Sequence, residues 1–313
     1  MPLTNKYAET ISDNSIYEFY KHRKILSCIS DGIGIYTKNI TKYTIATLIP
    51  TLIVAILISV FSFLLLGCWT NESFAPQSIF QSIFTWTTFI FTFLFLTLYT
   101  CVTYVFVEYR CIKKCTIGLR HTYIISFKRF PRVFFFYLIN ICTCAIAGIC
   151  IYYIFSKDIA DMNHDDFFYI LGCVVVILLV AIFSLPYNIV LPSLMLEKVR
   201  FLKGFIKGYK LGISNWVKNF KLFVLLLFIK LILGSILFAP MFVNIAILQS
   251  YINALINGDN AHLPESFIIC FVAITFLTTS ILIYFTAVLN LSYAYLYSST
   301  ITDKKEKESI PIV

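Results

Sequence analysis

Six long apolar runs, near residues 44–67, 79–107, 133–155, 167–196, 222–250 and 266–297, constrain this chain more than anything else in it. A helix needs about 20 residues to cross a hydrocarbon core of about 30 Å, and each run meets that length. Strands of a membrane barrel would instead need about 10 residues alternating polar and apolar, whereas "LIVAILISVFSFLLL" and "CVVVILLVAIF" are apolar on every face. Composition agrees, since 59% of the 313 residues are hydrophobic and only 13% are charged, against about 25% charged in soluble domains. The expected fold class is all-α integral membrane. An amino-terminal segment over 1–43 leads into a six-helix domain over 44–297 and a charged tail over 298–313.

Charge decides which way the runs cross. All of the 25 lysines and arginines except Lys157 and Lys230 fall before the first run, in the loops around 108–132 and 197–221, or in the tail. The opposite loops carry the acids Glu72, Asp158, Asp161, Asp165, Asp166, Asp259 and Glu265. Cytoplasmic loops hold the excess of Lys and Arg, so both termini and both basic loops are expected on the cytoplasmic side of the cell membrane. Residues 1–43 lack the short apolar core and small-residue cleavage site of a signal peptide. The first run is expected to stay as an anchor.

The runs pair off. Three cytoplasmic stretches, "ISDGIGIYTKNITKY", "GLRHTYIISFKRFPR" and "FLKGFIKGYKLGISNWVKNFK", each lead into two of them. Three helical hairpins are expected, each preceded by an amphipathic helix lying in the cytoplasmic interface.

The third stretch is the most informative. At about 100° per residue, Lys203, Lys207, Lys210, Ser214, Lys218 and Lys221 share one face, while Leu202, Phe205, Ile206, Tyr209, Ile213, Trp216, Val217 and Phe220 share the opposite one. Lysines toward water and aromatics toward the acyl boundary describe an interfacial helix. Lys203, Lys207, Lys210, Lys218 and Lys221, with Trp216 at the interface, are the candidate contacts to anionic lipid headgroups. Each basic residue near such a leaflet contributes about 1 kcal/mol. The alternative is that these lysines only fix topology. Gly204, Gly208 and Gly212 recur at every fourth position, although each costs about 1 kcal/mol relative to alanine in a helix. Such a stripe lets a second helix approach closely, so packing against a span of the same bundle is expected; a loosened hinge is the other reading.

The segment from Leu191 to Phe223, "LPSLMLEKVRFLKGFIKGYKLGISNWVKNFKLF", resembles part of the membrane domain attached to some bacterial glycerophosphodiester phosphodiesterases. It is also similar to YciC-type inner-membrane proteins. Pro192, Glu197, Gly204, Gly208, Tyr209, Asn215 and Trp216 fit the shared pattern. That pattern is a proline-containing span, a glutamate just after it, an interfacial helix with small residues at fourth positions and a central aromatic, then an Asn-aromatic pair. Alanine and serine are more usual where Gly204 and Gly208 stand. The second copy, "IISFKRFPRVF", resembles the equivalent family segment. The resemblance implies a multi-pass protein of a bacterial inner membrane. It does not imply phosphodiesterase activity, because no segment outside the runs exceeds about 45 residues and a (β/α)8 barrel takes about 250.

Enzymatic chemistry finds little support. His22, His121, His164 and His262 form no metal-spaced pair such as HExxH, and the chain has no glycine-rich phosphate loop or nucleophile elbow. The outer loop with Asp158, Asp161, His164, Asp165 and Asp166 holds oxygen and nitrogen ligands for a divalent cation, yet any short outer loop is polar and it reads as a solvated connector. Cys111 and Cys115 lack the further ligands of a tetrahedral metal. The other cysteines lie mostly inside runs or on the reducing side, which argues against a disulfide framework. A non-enzyme with no cofactor and no metal is expected. Nucleic acid is not an expected partner, since topology explains the net charge of +9 and the basic stretches form no recognised nucleic-acid fold.

Lys230 breaks the charge pattern. It stands about nine residues into the fifth run, where a central lysine costs about 2.5–3.5 kcal/mol. Either it snorkels to the cytoplasmic headgroups, or it forms an intramembrane polar site with Asn140, Asn188, Asn244 and Asn290. Two function classes follow. The preferred one is a non-catalytic membrane module that organises lipids or a partner membrane protein through its basic interfacial helices. The other is a small transporter or permease built around Lys230, which a water-accessible polar cavity near the midplane would mark.

Overall fold

The computed structural model describes residues 19–70, 79–115, 117–156, 174–175, 180, 182–197, 199–258, 263–264 and 266–309. Among them the regular elements are helical. They are α1 (Ile25–Lys38), α2 (Ile40–Thr70), α3 (Ile79–Val107) running into a π-helical turn (Glu108–Ile112), α4 (Leu119–Ser156), α5 (Tyr187–Leu196), α6 (Phe201–Ser214), α7 (Trp216–Ile256) and α8 (Phe267–Ser309). Five stretches, Ile40–Phe63, Ile83–Ile112, Leu119–Ile146, Trp216–Ala254 and Phe267–Lys304, are long and apolar enough to cross a membrane. The chain is a helical multi-pass membrane protein. The first part of the fourth run, 167–196, lies largely outside the described residues, which show its end as the apolar stretch Ile182–Leu196. The acidic loop from Asp158 to Asp166 lies outside them too, as do residues 1–18 of the amino-terminal segment and 310–313 of the tail.

Exposure follows the same logic. α7 leaves Phe228, Leu231, Ile232, Ile236, Phe242 and Val243 exposed, at a cost in water of about 25 cal/mol per Å2 of apolar surface. Lipid removes that cost. Hydroxyl groups within the apolar helices bond to their own backbone: Thr47 Oγ1 donates to Tyr43 O at 2.9 Å, Ser59 Oγ to Ala55 O at 2.8 Å and Thr275 Oγ1 to Phe271 O at 2.8 Å. These three donors are then not left bare where water is absent.

The chain divides into two compact units, Met1–Ile33 with Tyr104–Phe223 and Leu291–Val313, and Gly34–Thr103 with Val224–Asn290. In the second unit a buried phenol chain joins three helices. Tyr43 OH donates to Tyr99 OH at 3.0 Å and lies 2.7 Å from Thr103 Oγ1, while Tyr99 OH donates to Ile283 O at 2.8 Å. Leu248, Phe267 and Phe271 form an apolar cluster. A cavity of about 760 Å3 in this unit is walled by apolar side chains such as Ile56, Phe63, Val272 and Phe276, with Ser59 the one polar residue among its described lining.

The interfacial stretches depart from expectation in two places. The second is not a separate helix, because α4 runs unbroken through Pro131. A proline inside a helix costs about 3 kcal/mol, but the rings of Phe130 and Phe134 stack across that turn with centroids 6.0 Å apart. The third stretch divides at Asn215. Ser214 Oγ and Asn215 Nδ2 donate to Leu211 O at 3.0 and 3.2 Å, Asn215 leaves the helical conformation at φ −115° and ψ 31°, and its carbonyl accepts the Asn219 N–H at 3.0 Å to start α7. Short polar side chains compete with the backbone for a helix's last carbonyls. Lys218 and Lys221 therefore belong to α7, apart from the helix of Lys203, Lys207 and Lys210. Asn39 works in the same way between α1 and α2, its Nδ2 donating to Ile35 O at 3.1 Å.

Candidate functional site

The site lies in the first unit and is built on α5. Ile189 to Met195 are buried without exception, as expected of a helix that is apolar all round. α6 lies against it through the glycine stripe. A β-carbon at Gly208 would stand 2.7 Å from Val190 Cα and 3.0 Å from Ser193 Cβ, and one at Gly212 would stand 2.8 Å from Pro186 Cα. At Gly204 the nearest atoms are side-chain ends, Val199 Cγ2 at 2.9 Å and Leu194 Cδ2 at 3.1 Å. Ser193 Oγ adds a hydrogen bond to Gly204 O at 3.1 Å.

Two other faces of α6 remain uncovered. Leu202, Ile206 and Ile213 form one and are 71%, 65% and 53% exposed. Lys203, Lys207, Lys210 and Ser214 form the next and are also exposed. Glycines, apolar side chains and lysines each occupy roughly a third of the helix circumference, as about 100° per residue dictates.

Basic side chains meet four acids of this unit, Asp31, Glu108, Glu197 and Asp303. Glu197, just after α5, receives Lys207 Nζ on its two oxygens at 2.7 and 2.8 Å and accepts the Tyr297 hydroxyl. Glu108, buried in the π-helical turn, pairs with Arg129 and with Lys113 Nζ at 2.9 Å, and Arg129 Nη1 also donates to Met195 O at 2.8 Å at the end of α5. Partial burial pulls the Lys113 ammonium down, but the hydrogen bond and charge of Glu108 outweigh it and raise its pKa. Arg23 is buried; its Nε donates to Asp31 Oδ2 at 2.8 Å, its Nη1 to Phe19 O at 2.6 Å and Ser298 Oγ at 3.2 Å, and its guanidinium lies 4.5 Å from the Tyr295 ring centre. Asp303 meets His22 Nδ1 and Lys218 Nζ, each at 2.5 Å. Burial, then the charges of Glu197 and Glu108, pushes the Tyr20 phenol up to about 12, so it remains a donor.

The lysines named from the sequence thus take different roles. Lys207 and Lys218 are engaged in ion pairs, whereas Lys203, Lys210 and Lys221 are exposed with no ion-pair partner among the described residues. Trp216 opens α7, its ring stacked on Phe220 with centroids 5.1 Å apart. Lys230 is exposed on α7. Asn244, fourteen residues further along that helix, is about 21 Å away, and its amide bonds to Pro240 O at 3.2 Å. Asn140 bonds to Phe136 O at 2.9 Å; Asn188 is half-buried and Asn290 buried. The residues that sequence reasoning missed are Arg23, Glu108, Arg129, Glu197 as an ion-pair partner, and Asp303. Their signal was scarcity, since few acids stand in the basic segments.

Cys111 is buried, and the described residues contain no group of three or more His, Cys, Asp or Glu able to hold a metal. Comparison with protein-family models, curated proteins and solved structures returns no match.

Proposed function

We propose that the protein is a non-catalytic polytopic module of a bacterial inner membrane that organises lipid, or a partner membrane protein, through basic helices at the cytoplasmic interface. It crosses six times as three hairpins, the fourth crossing running through 167–196, and both termini are cytoplasmic. An even number of crossings keeps the basic segments before α2, at 108–132, at 197–221 and at the end of α8 on one side. The likeness of Leu191–Phe223 to the membrane domain of some phosphodiesterases supports the same reading.

The observation that carries it is the division of α6 into three faces. Water would penalise the exposed Leu202, Ile206 and Ile213, and hydrocarbon would penalise the exposed Lys203 and Lys210. Only the boundary between the two satisfies both, with anionic headgroups adding about 1 kcal/mol per lysine. A permease built around Lys230 has less support, because the Asn244 amide is bonded to Pro240 O of its own helix and the large cavity of the second unit has a described lining that is apolar apart from Ser59.

Lipid analysis of the protein extracted in mild detergent tests this. Wild type is expected to carry anionic phospholipid above its share of the membrane, and a Lys203→Gln, Lys210→Gln, Lys221→Gln variant to carry less. Wild-type lipid identical to the bulk membrane would overturn the reading.

A further inference from the structure

We infer that the groove between α6 and the carboxyl-terminal end of α8 is a site for one phosphate monoester group, a finer use of α6 that rests on the lipid-binding reading above. The groove encloses about 310 Å3 within the first unit, the lower end of the range of about 300–1,000 Å3 for small-molecule sites. That suits a headgroup and not a whole lipid. Three ammonium groups, Lys207, Lys210 and Lys304, face it together with one carboxylate, Asp303. Three against one leaves an excess of two formal positive charges on the lining, with Glu197 holding Lys207 and with Lys218 and His22 holding Asp303. A monoester phosphate, which carries between about 1.5 and 2 negative charges at neutral pH, matches that excess; a phosphodiester carries one.

Donors and acceptors are sorted in the same sense. Ser214 and Thr300, on the groove wall, already donate their hydroxyl protons to Leu211 O at 3.0 Å and Tyr297 O at 2.8 Å. Ser214 Oγ also accepts from Asn215 Nδ2 at 3.1 Å, and a hydroxyl oxygen with two lone pairs keeps room for a further donor. Lys210 is exposed with all three ammonium protons available among the described residues, and Lys207, fixed on Glu197, points from a set position. Anionic oxygens of the ligand meet ammonium groups, and any hydroxyl it carries meets Ser214, Thr300 or Asp303. Lys203 lies on the same helix face but outside the groove, which gives an internal control.

The test uses the full chain in detergent. Binding of phosphatidic acid, phosphatidylglycerol and phosphatidylcholine in mixed micelles is measured for wild type, Lys210→Gln, Lys304→Gln and Lys203→Gln, with thermal unfolding confirming that each variant is folded. Phosphatidic acid is expected to bind about tenfold or more tightly than phosphatidylglycerol, and Lys210→Gln and Lys304→Gln each to lose about tenfold while Lys203→Gln keeps wild-type affinity. Competition by inorganic phosphate distinguishes the sources: displacement assigns the site to any free phosphate, and phosphatidic acid binding without displacement assigns it to the lipid. Equal losses in Lys203→Gln and Lys210→Gln, or equal binding of the two anionic lipids, would overturn the groove and leave the general lipid reading intact. No anionic preference in any variant would overturn both.

Discussion

Gly208 and Val190 bring the backbones of α6 and α5 so close that no β-carbon fits between them. The contact fixes which way the other two faces of α6 point. Gly208→Ala and Gly212→Ala are expected to destabilise the protein by about 1–3 kcal/mol, because backbone must move to admit the methyl group. At Gly204 only flexible side-chain ends are in the way, and the gain in helix propensity of about 1 kcal/mol offsets the strain. Gly204→Ala is expected to be close to neutral. Thermal unfolding of the three variants in one detergent separates them, and equal effects at all three positions would contradict this packing.

Glu108 and Arg129 form a partly buried ion pair. Breaking such a pair leaves an uncompensated charge and costs about 3–5 kcal/mol when fully buried. Arg129 retains some exposure, so Glu108→Leu is expected to cost about 2–3 kcal/mol. The double variant Glu108→Leu, Arg129→Leu is expected to be more stable than either single one. A double-mutant cycle on unfolding free energy checks it.

Tyr297 donates its hydroxyl to Glu197, whose side chain is mostly shielded. Tyr297→Phe is expected to lose about 1.5–3 kcal/mol, the range for a hydrogen bond to a charged group. Lys207→Gln should cost less, about 0–1 kcal/mol, because that lysine is about half exposed to solvent screening. Denaturation of the two variants side by side gives the order.

Lys230→Met is expected to leave lipid binding unchanged and stability equal or higher, since a lysine in an apolar span carries an insertion cost of about 2.5–3.5 kcal/mol at most. Loss of a membrane transport phenotype on this substitution would favour the permease.

Much of this was legible in residue order. Five of the six apolar runs reappear as helices of membrane-spanning length because length and hydropathy dictate them. The close approach at Gly208 was legible as spacing, but its partner α5 was not, since nothing in the sequence ties Gly208 to Val190. The end of α6 at Asn215 was obscured by hydrophobic periodicity, which continues through Trp216, Val217 and Phe220 while side-chain capping at Ser214 and Asn215 stops the helix. The Arg23–Ser298 hydrogen bond and the Glu108–Arg129 and Asp303–Lys218 ion pairs join residues far apart in the chain, so local pattern gave no register for them.

The depth of α6 is the decisive quantity. A fluorescent non-canonical amino acid replaces Ile206 or, separately, Lys210, and the full chain is reconstituted in bilayers with brominated acyl chains, or with aqueous iodide as the quencher. The expected result is acyl-chain quenching and iodide protection at 206, with iodide quenching at 210. Strong iodide quenching at both positions would place the helix in water and contradict an interfacial role for it.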